Sequence, residues 1–343
     1  MKQKLEQIIE PLLDWYQENK RILPWRISKN PYCIWISEIM LQQTRIEAVK
    51  SYYSRFMQEI PTIHDLANIQ EERLLKLWEG LGYYNRARNL QKAAKIIEQS
   101  YQGKMPTTYE KLITLPGIGD YTAGAIASIA FNEKVPAVDG NVLRVISRII
   151  GSKKDILLPE TKKEISKLLI NIMPQQAGNF NEALMELGEL LCVPNGEPTC
   201  SKCPLNKICK AYQENLVNEI PVRCKKVKRK IEEMTVLVFT TKEGKIAIRK
   251  RTKQGVLKDM YEFPNLDKNY TEEQLINYLQ EKKILAEKIE FLGNFKHIFT
   301  HIEWKMIAYL VIVKKEELDY MWVTQEELKK KYALPTAFKQ LMR

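Results

Sequence analysis

Cys192, Cys200, Cys203 and Cys209 fall within 18 residues of the 343-residue chain, separated by seven, two and five residues. Four thiolates so placed can surround one metal centre. Zinc sites often use two separated Cys-x2-Cys knuckles, and only one is present here, whereas a compact four-cysteine run suits a cubane iron–sulfur cluster. Spacing alone leaves both metals open. Cys33 and Cys224 lie far from this run and read as a packed cysteine and a free linker thiol.

Carboxylates supply the second chemistry. The stretch Ser37-Glu38-Ile39-Met40-Leu41-Gln42-Gln43-Thr44 reads as helix, with Ile34 and Trp35 one turn before Glu38 and Leu41 three residues after it. A carboxyl among apolar neighbours has its pKa raised, as a general acid at neutral pH requires. The same surroundings also suit a buried glutamate paired with an arginine. Asp139, in Val138-Asp139-Gly140-Asn141, precedes the amphipathic run Val142, Val145, Ile146, Ile149 and so reads as an N-cap. A capping carboxylate is fixed and kept ionised, which suits the stabilisation of a developing cation. Leu115-Pro116-Gly117-Ile118-Gly119 lies between two helical patterns. Its glycines allow a tight turn, and the free N–H groups of the following helix can hold a phosphate without regard to sequence.

The elements that must position these groups follow from periodicity. Apolar residues recur at helical spacing in 5–15, 34–56, 74–81, 93–97, 122–129, 142–150, 165–172 and 180–191, punctuated by Pro and Gly. Residues 1–220 therefore read as a helical domain. A basic linker, 221–231, follows, with six Lys/Arg in Pro221–Lys230. From 232 to 343 the period changes. Thr235–Arg251 reads as two strands around Lys242-Glu243-Gly244, 304–313 as another strand, and 272–282 and 325–332 as helices, which together make an α+β domain.

The net charge of +12 is uneven. Residues 1–220 hold 28 Lys/Arg against 25 Asp/Glu, and residues 221–343 hold 26 against 17. The basic run attracts polyanions, of which nucleic acid is the commonest in the cytosol, although a solvated linker would have the same composition. Apolar residues at 45% and charged residues at 28% argue against a disordered chain. The sequence holds no run of 18 apolar residues, and its first twenty residues show no signal-peptide pattern. These readings predict a cytoplasmic protein with reduced cysteines and no membrane partner.

In order along the chain come SEIMLQQT, WEGLGYYNRARNL (78–90), LPGIGDYTAGAIAS (115–128), VDGNVLRVISR (138–148), FNEALMELG (180–188) and the four-cysteine run. Together these resemble the adenine DNA glycosylases of the MutY type, within the helix-hairpin-helix superfamily that also includes endonuclease III. The resemblance implies a mainly α helix-hairpin-helix domain with an iron–sulfur cluster loop, and an α+β Nudix-like domain that recognises the lesion. The implied substrate is double-stranded DNA carrying adenine opposite 8-oxoguanine or guanine, bound by a monomer that associates with the nucleoid in a bacterium. The implied cofactor is a 4Fe–4S cluster on the four cysteines.

Carried over residue by residue, the resemblance makes Glu38 the acid that protonates adenine at N7. Asp139 faces the oxocarbenium-like sugar, oriented with the water by Tyr121 and Asn141. Arg26 and Glu182 line the adenine pocket. Gln43, Thr44, Leu81, Tyr83, Gly117, Gly119 and Lys207 match DNA-binding positions, with Gln43 and Tyr83 entering the duplex. Phe299, Thr300 and His301 match a lesion-reading loop in which relatives often carry Phe-Ser-His. The first inter-cysteine gap is seven residues, where many relatives have six. The main alternative is an endonuclease III-like bifunctional glycosylase and lyase. Those relatives carry a lysine just after LPGxGx, and here the position holds Tyr121. Without that amine no Schiff base is expected there. A Nudix hydrolase would need the form REx2EE, absent from 262–290, where Glu272, Glu273, Glu281 and Glu287 stand. A non-catalytic DNA-binding protein is disfavoured by the pairing of Glu38 with Asp139.

Overall fold

The computed structural model describes residues 2–224, 228–316 and 319–342. Residues 225–227 of the expected basic linker lie outside this set. The chain forms two compact units, residues 1–68 with 88–225 and residues 69–87 with 226–343. The single cut expected at the linker is therefore incomplete, because a short piece of the helical half groups with the second unit. Its hydrogen bonds explain this: Lys76 donates to the carbonyls of Leu328 and Tyr332, and Glu79 accepts from the Leu334 N–H.

Five helices of the first unit build the site: α1 (Ile9–Asn19), α2 (Pro31–Leu41), α3 (Asp120–Phe131), α4 (Gly140–Ile150) and α5 (Ala177–Leu190). Pro31 opens α2, and the Asn30 side chain accepts the Tyr32 N–H at its start. Residues Ile34 to Met40 are all buried, so α2 runs through the interior. Alanines 123, 125 and 127 with Gly124 let α3 approach its neighbours closely. A methyl on Gly124 would stand 2.3 Å from the Pro136 carbonyl oxygen. The apolar stripe of α4 packs with Leu12 of α1 and with Phe180 and Leu184 of α5 in one core.

The helical pattern expected over 34–56 is interrupted. Helix α2 ends at Leu41, Gln43 takes a left-handed φ of 60°, and the next helix begins at Ile46. The break turns Gln42, Gln43 and Thr44 into a loop on the wall of a cleft.

The second unit is built on seven strands: β1 (Lys230–Thr240), β2 (Ile246–Lys250), β3 (Tyr261–Glu262), β4 (Asn265–Asp267), β5 (Ala286–Ile298), β6 (Ile302–Val313) and β7 (Met321–Val323). The order is β3-β2-β1-β6-β5, with β4 on β1 and β7 on β2. Strands β1 and β6 run parallel from Lys230↔Ile302 to Thr240↔Ile312. Alternate side chains of β1 enter two cores: Met234, Val236 and Val238 meet Phe338, while Leu237 and Phe239 meet Leu275 and Leu279 of the helix Glu272–Glu281. The 304–313 strand and the hairpin after β1 match expectation. Strand β5 was missed. It lies at the end of the sheet, is largely exposed and carries a register shift at Gly293, so its alternation is blurred.

Gly117 combines φ +79° with a neighbour, Asn89 Cβ, only 2.8 Å from where its own Cβ would stand, whereas a Cβ on Gly119 meets nothing within 4 Å. Gly117→Ala should cost about 1–3 kcal/mol in urea denaturation. Gly119→Ala should change stability by no more than a few tenths. Equal losses for the two variants would contradict this reading of the turn.

Candidate active site

Glu38 sits on α2 with 6% of its surface exposed, on the wall of a cleft of about 1210 Å³. Its hydrogen bond comes from the Tyr121 hydroxyl on α3, which donates to Oε2 at 2.5 Å. Burial pushes Glu38 up to about 7. The Tyr121 bond opposes this rise, and the nearby Asp139 adds to it. Burial and Glu38 hold the Tyr121 phenol well above its ordinary value, so it stays a donor. At neutral pH Glu38 is thus partly protonated, and its Oε1 is free to present the proton. The alternative of a Glu38–arginine pair does not hold: Arg26 bonds to Glu182 and Glu186 instead.

Asp139 is the N-cap of α4. Its Oδ1 accepts the Val142 N–H at 2.8 Å, and its Oδ2 accepts Asn141 Nδ2 at 2.8 Å. The expectation that capping alone keeps it at low pKa needs correction. Burial outweighs the donors from Val142 and Asn141, and its pKa lies above the ordinary aspartate value. Burial thus disfavours the charge on both carboxyls, and Asp139 has the donors from Val142 and Asn141 to hold its own.

Arg144 was not expected from the sequence. Buried to 2% exposure, it donates from Nη2 to Asn141 Oδ1 at 2.8 Å and to the Gly188 carbonyl at 2.9 Å, and from Nε to the Cys192 carbonyl at 2.7 Å. By engaging Asn141 Oδ1 it fixes the amide so that Nδ2 faces Asp139. An arginine inside the apolar run Leu143–Ile146 was the available signal, since a buried guanidinium must find acceptors.

The expected pocket residues Arg26 and Glu182 meet, with Arg26 Nε 3.2 Å from Glu182 Oε1. Glu186, one turn further along α5 and 1% exposed, completes the group. It accepts Arg21 Nε and Nη2 at 2.7 and 3.0 Å, and Arg26 Nη2 at 2.9 Å. Burial alone would raise Glu186, but these bonds outweigh it and hold it down at about 2. Burial instead raises Glu182, against the pull of Arg26. A second cavity of about 430 Å³ shares Arg26, Glu38 and Glu182 with the cleft and is lined by Tyr16 and Ile34. Its lining combines apolar side chains such as Ile34 with the polar groups of Arg26, Glu38 and Glu182.

Gln43 is exposed and Thr44 half-buried, both on the cleft wall, and Gly119 lies on the same wall as the N-cap of α3. Lys207 is exposed in the loop between Cys203 and Cys209. In the second unit Tyr83 is half-exposed, with φ +47° and its hydroxyl 2.8 Å from Thr300 Oγ1, while Leu81 and Tyr84 are buried. Phe299–His301 form the turn between β5 and β6. Phe299 packs edge-on against Trp304, its ring centroid 4.8 Å away, and Thr300 and His301 are exposed. Glu262 is tied to Arg249 and Arg251 at 3.0 and 2.7 Å.

The four cysteines of the run come together. Burial and the proximity of Cys192 each raise Cys200, Cys203 and Cys209, and burial pushes the Cys203 thiol up to about 12. Arg148 Nη1 donates to Cys192 Sγ at 3.2 Å. Among the described residues no three His, Cys, Asp or Glu side chains converge as on a single ion.

The sequence and fold match known proteins. Residues 36–175 match the HhH-GPD superfamily of base excision DNA repair proteins, and residues 235–343 match the NUDIX domain. A solved thermostable thymine-DNA glycosylase superposes with TM-score 0.56 at 29% identity, covering 62% of this chain and 98% of its own. Endonuclease III from a non-covalent DNA complex superposes with TM-score 0.54 at 25% identity, over 63% and 98%. The chain is thus a helix-hairpin-helix base-excision repair protein with a Nudix-like second domain.

The adenine DNA glycosylase of Buchnera aphidicola subsp. Baizongia pistaciae is 37% identical over 310 residues, 89% of this chain and 86% of the relative. That of Homo sapiens is 33% identical over 405 residues, 97% and 72%. The Arabidopsis thaliana protein is 38% identical over 360 residues, and the match covers 88% of this chain but only 56% of the plant protein. The chain belongs to the adenine DNA glycosylase family.

Burying Glu38 has a measurable consequence without any substrate. Its folded pKa near 7 exceeds the unfolded value near 4.5. The folded state holds the extra proton in that interval, so stability falls as pH rises through it, by about 3 kcal/mol once above 7. Glu38→Gln removes this loss. The variant should melt higher than the wild type at pH 8.5, with the difference shrinking toward pH 4.5. A difference independent of pH would show that Glu38 titrates normally.

Proposed function

We propose that the protein removes adenine opposite 8-oxoguanine or guanine in double-stranded DNA, by hydrolysis of the N-glycosidic bond. The observation that carries this reading is a buried, protonatable Glu38 in the same cleft as a hydrogen-bonded Asp139. An adenine turned out of the duplex would enter the cavity lined by Arg26 and Glu182. Extrusion costs a few kcal/mol, least at a mispair. Glu38 gives its proton to adenine N7, the C1′–N9 bond breaks, and the bonding pair leaves with the base. Ionised Asp139 stabilises the oxocarbenium-like sugar. Water adds at C1′ and loses a proton to the Glu38 carboxylate, which restores the acid and leaves an abasic site. Gln43, Thr44, Tyr83, the Gly117–Gly119 turn and Lys207 are assigned to the DNA, and Phe299, Thr300 and His301 to the opposite base.

The absence of lyase chemistry rests on Tyr121, whose hydroxyl is committed to Glu38 where lyase relatives place an amine. Among the residues lining the cleft the amine is Lys162, and trapping with borohydride in a Lys162→Ala background separates an incidental imine from a catalytic one.

The compact spacing of Cys192, Cys200, Cys203 and Cys209 and the electrostatic influence of these thiols on one another support a 4Fe–4S cluster on the four. Bound there, the cluster would supply covalent cross-links that pin the Lys207 loop. Purified protein should contain iron and sulfide in equal amounts, about four each. Zinc as its native metal would reverse this assignment.

The direct test is incubation with a duplex containing A:8-oxoguanine, followed by alkali. Strand cleavage should appear only after alkali. Glu38→Gln and Asp139→Asn should each lower the single-turnover rate at least a hundredfold while mispair binding changes little. The wild-type rate should fall as pH rises through about 7, as Glu38 loses its proton. An absence of alkali-labile sites, or a rate still rising above pH 8, would remove the proposed chemistry.

A further inference from the structure

The mechanism leaves a buried ion pair unused. Lys76 and Glu79, on the segment 69–87 that groups with the second unit, are 11% and 8% exposed. The ammonium donates to Glu79 Oε2 at 2.9 Å, to the Leu328 carbonyl at 3.2 Å and to the Tyr332 carbonyl at 2.9 Å, which uses all three protons. Glu79 in turn accepts the Leu334 N–H on Oε1 at 2.7 Å and Lys339 Nζ on Oε2 at 2.8 Å. Replacing such a pair by apolar residues is often neutral for stability, so its value lies in the geometry it selects. Besides each other, Lys76 and Glu79 engage partners that lie some 250 residues away in sequence.

Tyr83 follows four residues after Glu79, through Gly80 and Gly82, both at positive φ. Its own left-handed backbone is held by no intrinsic preference. At the far end its hydroxyl meets Thr300. We infer that Lys76 and Glu79 are positioning residues for lesion discrimination: they fasten the Tyr83 turn to the unit that carries the Phe299–His301 turn, so that the two reach the DNA in fixed register. This rests on the reading of Tyr83 and Thr300 given above. The cluster touches none of the residues assigned to excision, and losing it should affect which opposite base is preferred and not the chemical step.

The experiment measures single-turnover excision from A:8-oxoguanine and A:G duplexes with the full-length protein. Lys76→Met should lower the preference for 8-oxoguanine at least fivefold, toward that of Tyr83→Ala, with the A:G rate within twofold of wild type. Glu79→Gln and the half-exposed Lys339→Met should show smaller falls in the same direction. They carry the test if Lys76→Met does not fold. A preference unchanged in these variants, while Tyr83→Ala lowers it, overturns the inference alone. A wild type that processes both duplexes equally overturns the underlying reading and the inference with it.

Discussion

Two carboxyl groups line one cleft of the first unit, burial raises the pKa of each, and the helices around them are arranged so that the two receive different hydrogen-bond donors. Glu38 projects from a helix buried on nearly every side. It receives one neutral hydrogen bond, from a phenol that does not ionise. Asp139 sits where a helix start and an asparagine amide both donate to it. Burial raises both groups; Tyr121 alone donates to Glu38, whereas Val142 and Asn141 both donate to Asp139 and favour its charge.

Keeping Glu38 neutral also requires the nearby cations to be occupied. Arg26 comes last among the influences on Glu38. Its guanidinium is spent on Glu182 and on Glu186, whose carboxylate also takes Arg21 by the fork. Arg144 plays the matching part on the other wall: it orients Asn141 toward Asp139 and reaches the Cys192 carbonyl in the same step. Asp139 and the cysteine loop are thus joined through Asn141 and Arg144 by a chain of hydrogen bonds, a dependence that packing alone would not create.

What was legible in the sequence was local. Glu38 among Ile34, Trp35 and Leu41, Asp139 ahead of an amphipathic run, and the Pro-Gly turn each lie within a turn or two of chain and occupy the helix, helix start and interhelical turn expected of them, and the cysteine run is compact in sequence. What escaped was non-local or marginal. Tyr121 meets Glu38 across 83 residues and Glu186 meets Arg21 across 165, distances at which periodicity carries no information. The break at Gln43 falls in a run whose apolar spacing continues through it. Strand β5 hides because an edge strand buries little. The grouping of 69–87 with the second unit depends on Lys76 and Glu79, which in sequence are indistinguishable from surface charges on a helix.

The central claim is the protonation state of Glu38, and it can be read without DNA. Glutamate carboxyl carbons labelled with 13C, with Glu38→Gln used to assign the signal, give the titration directly. The account predicts a midpoint near 7 in the free protein, moving higher in Tyr121→Phe, because the lost hydrogen bond favours the charged form. A midpoint near 4.5 in the wild type, or a fall in Tyr121→Phe, would contradict it.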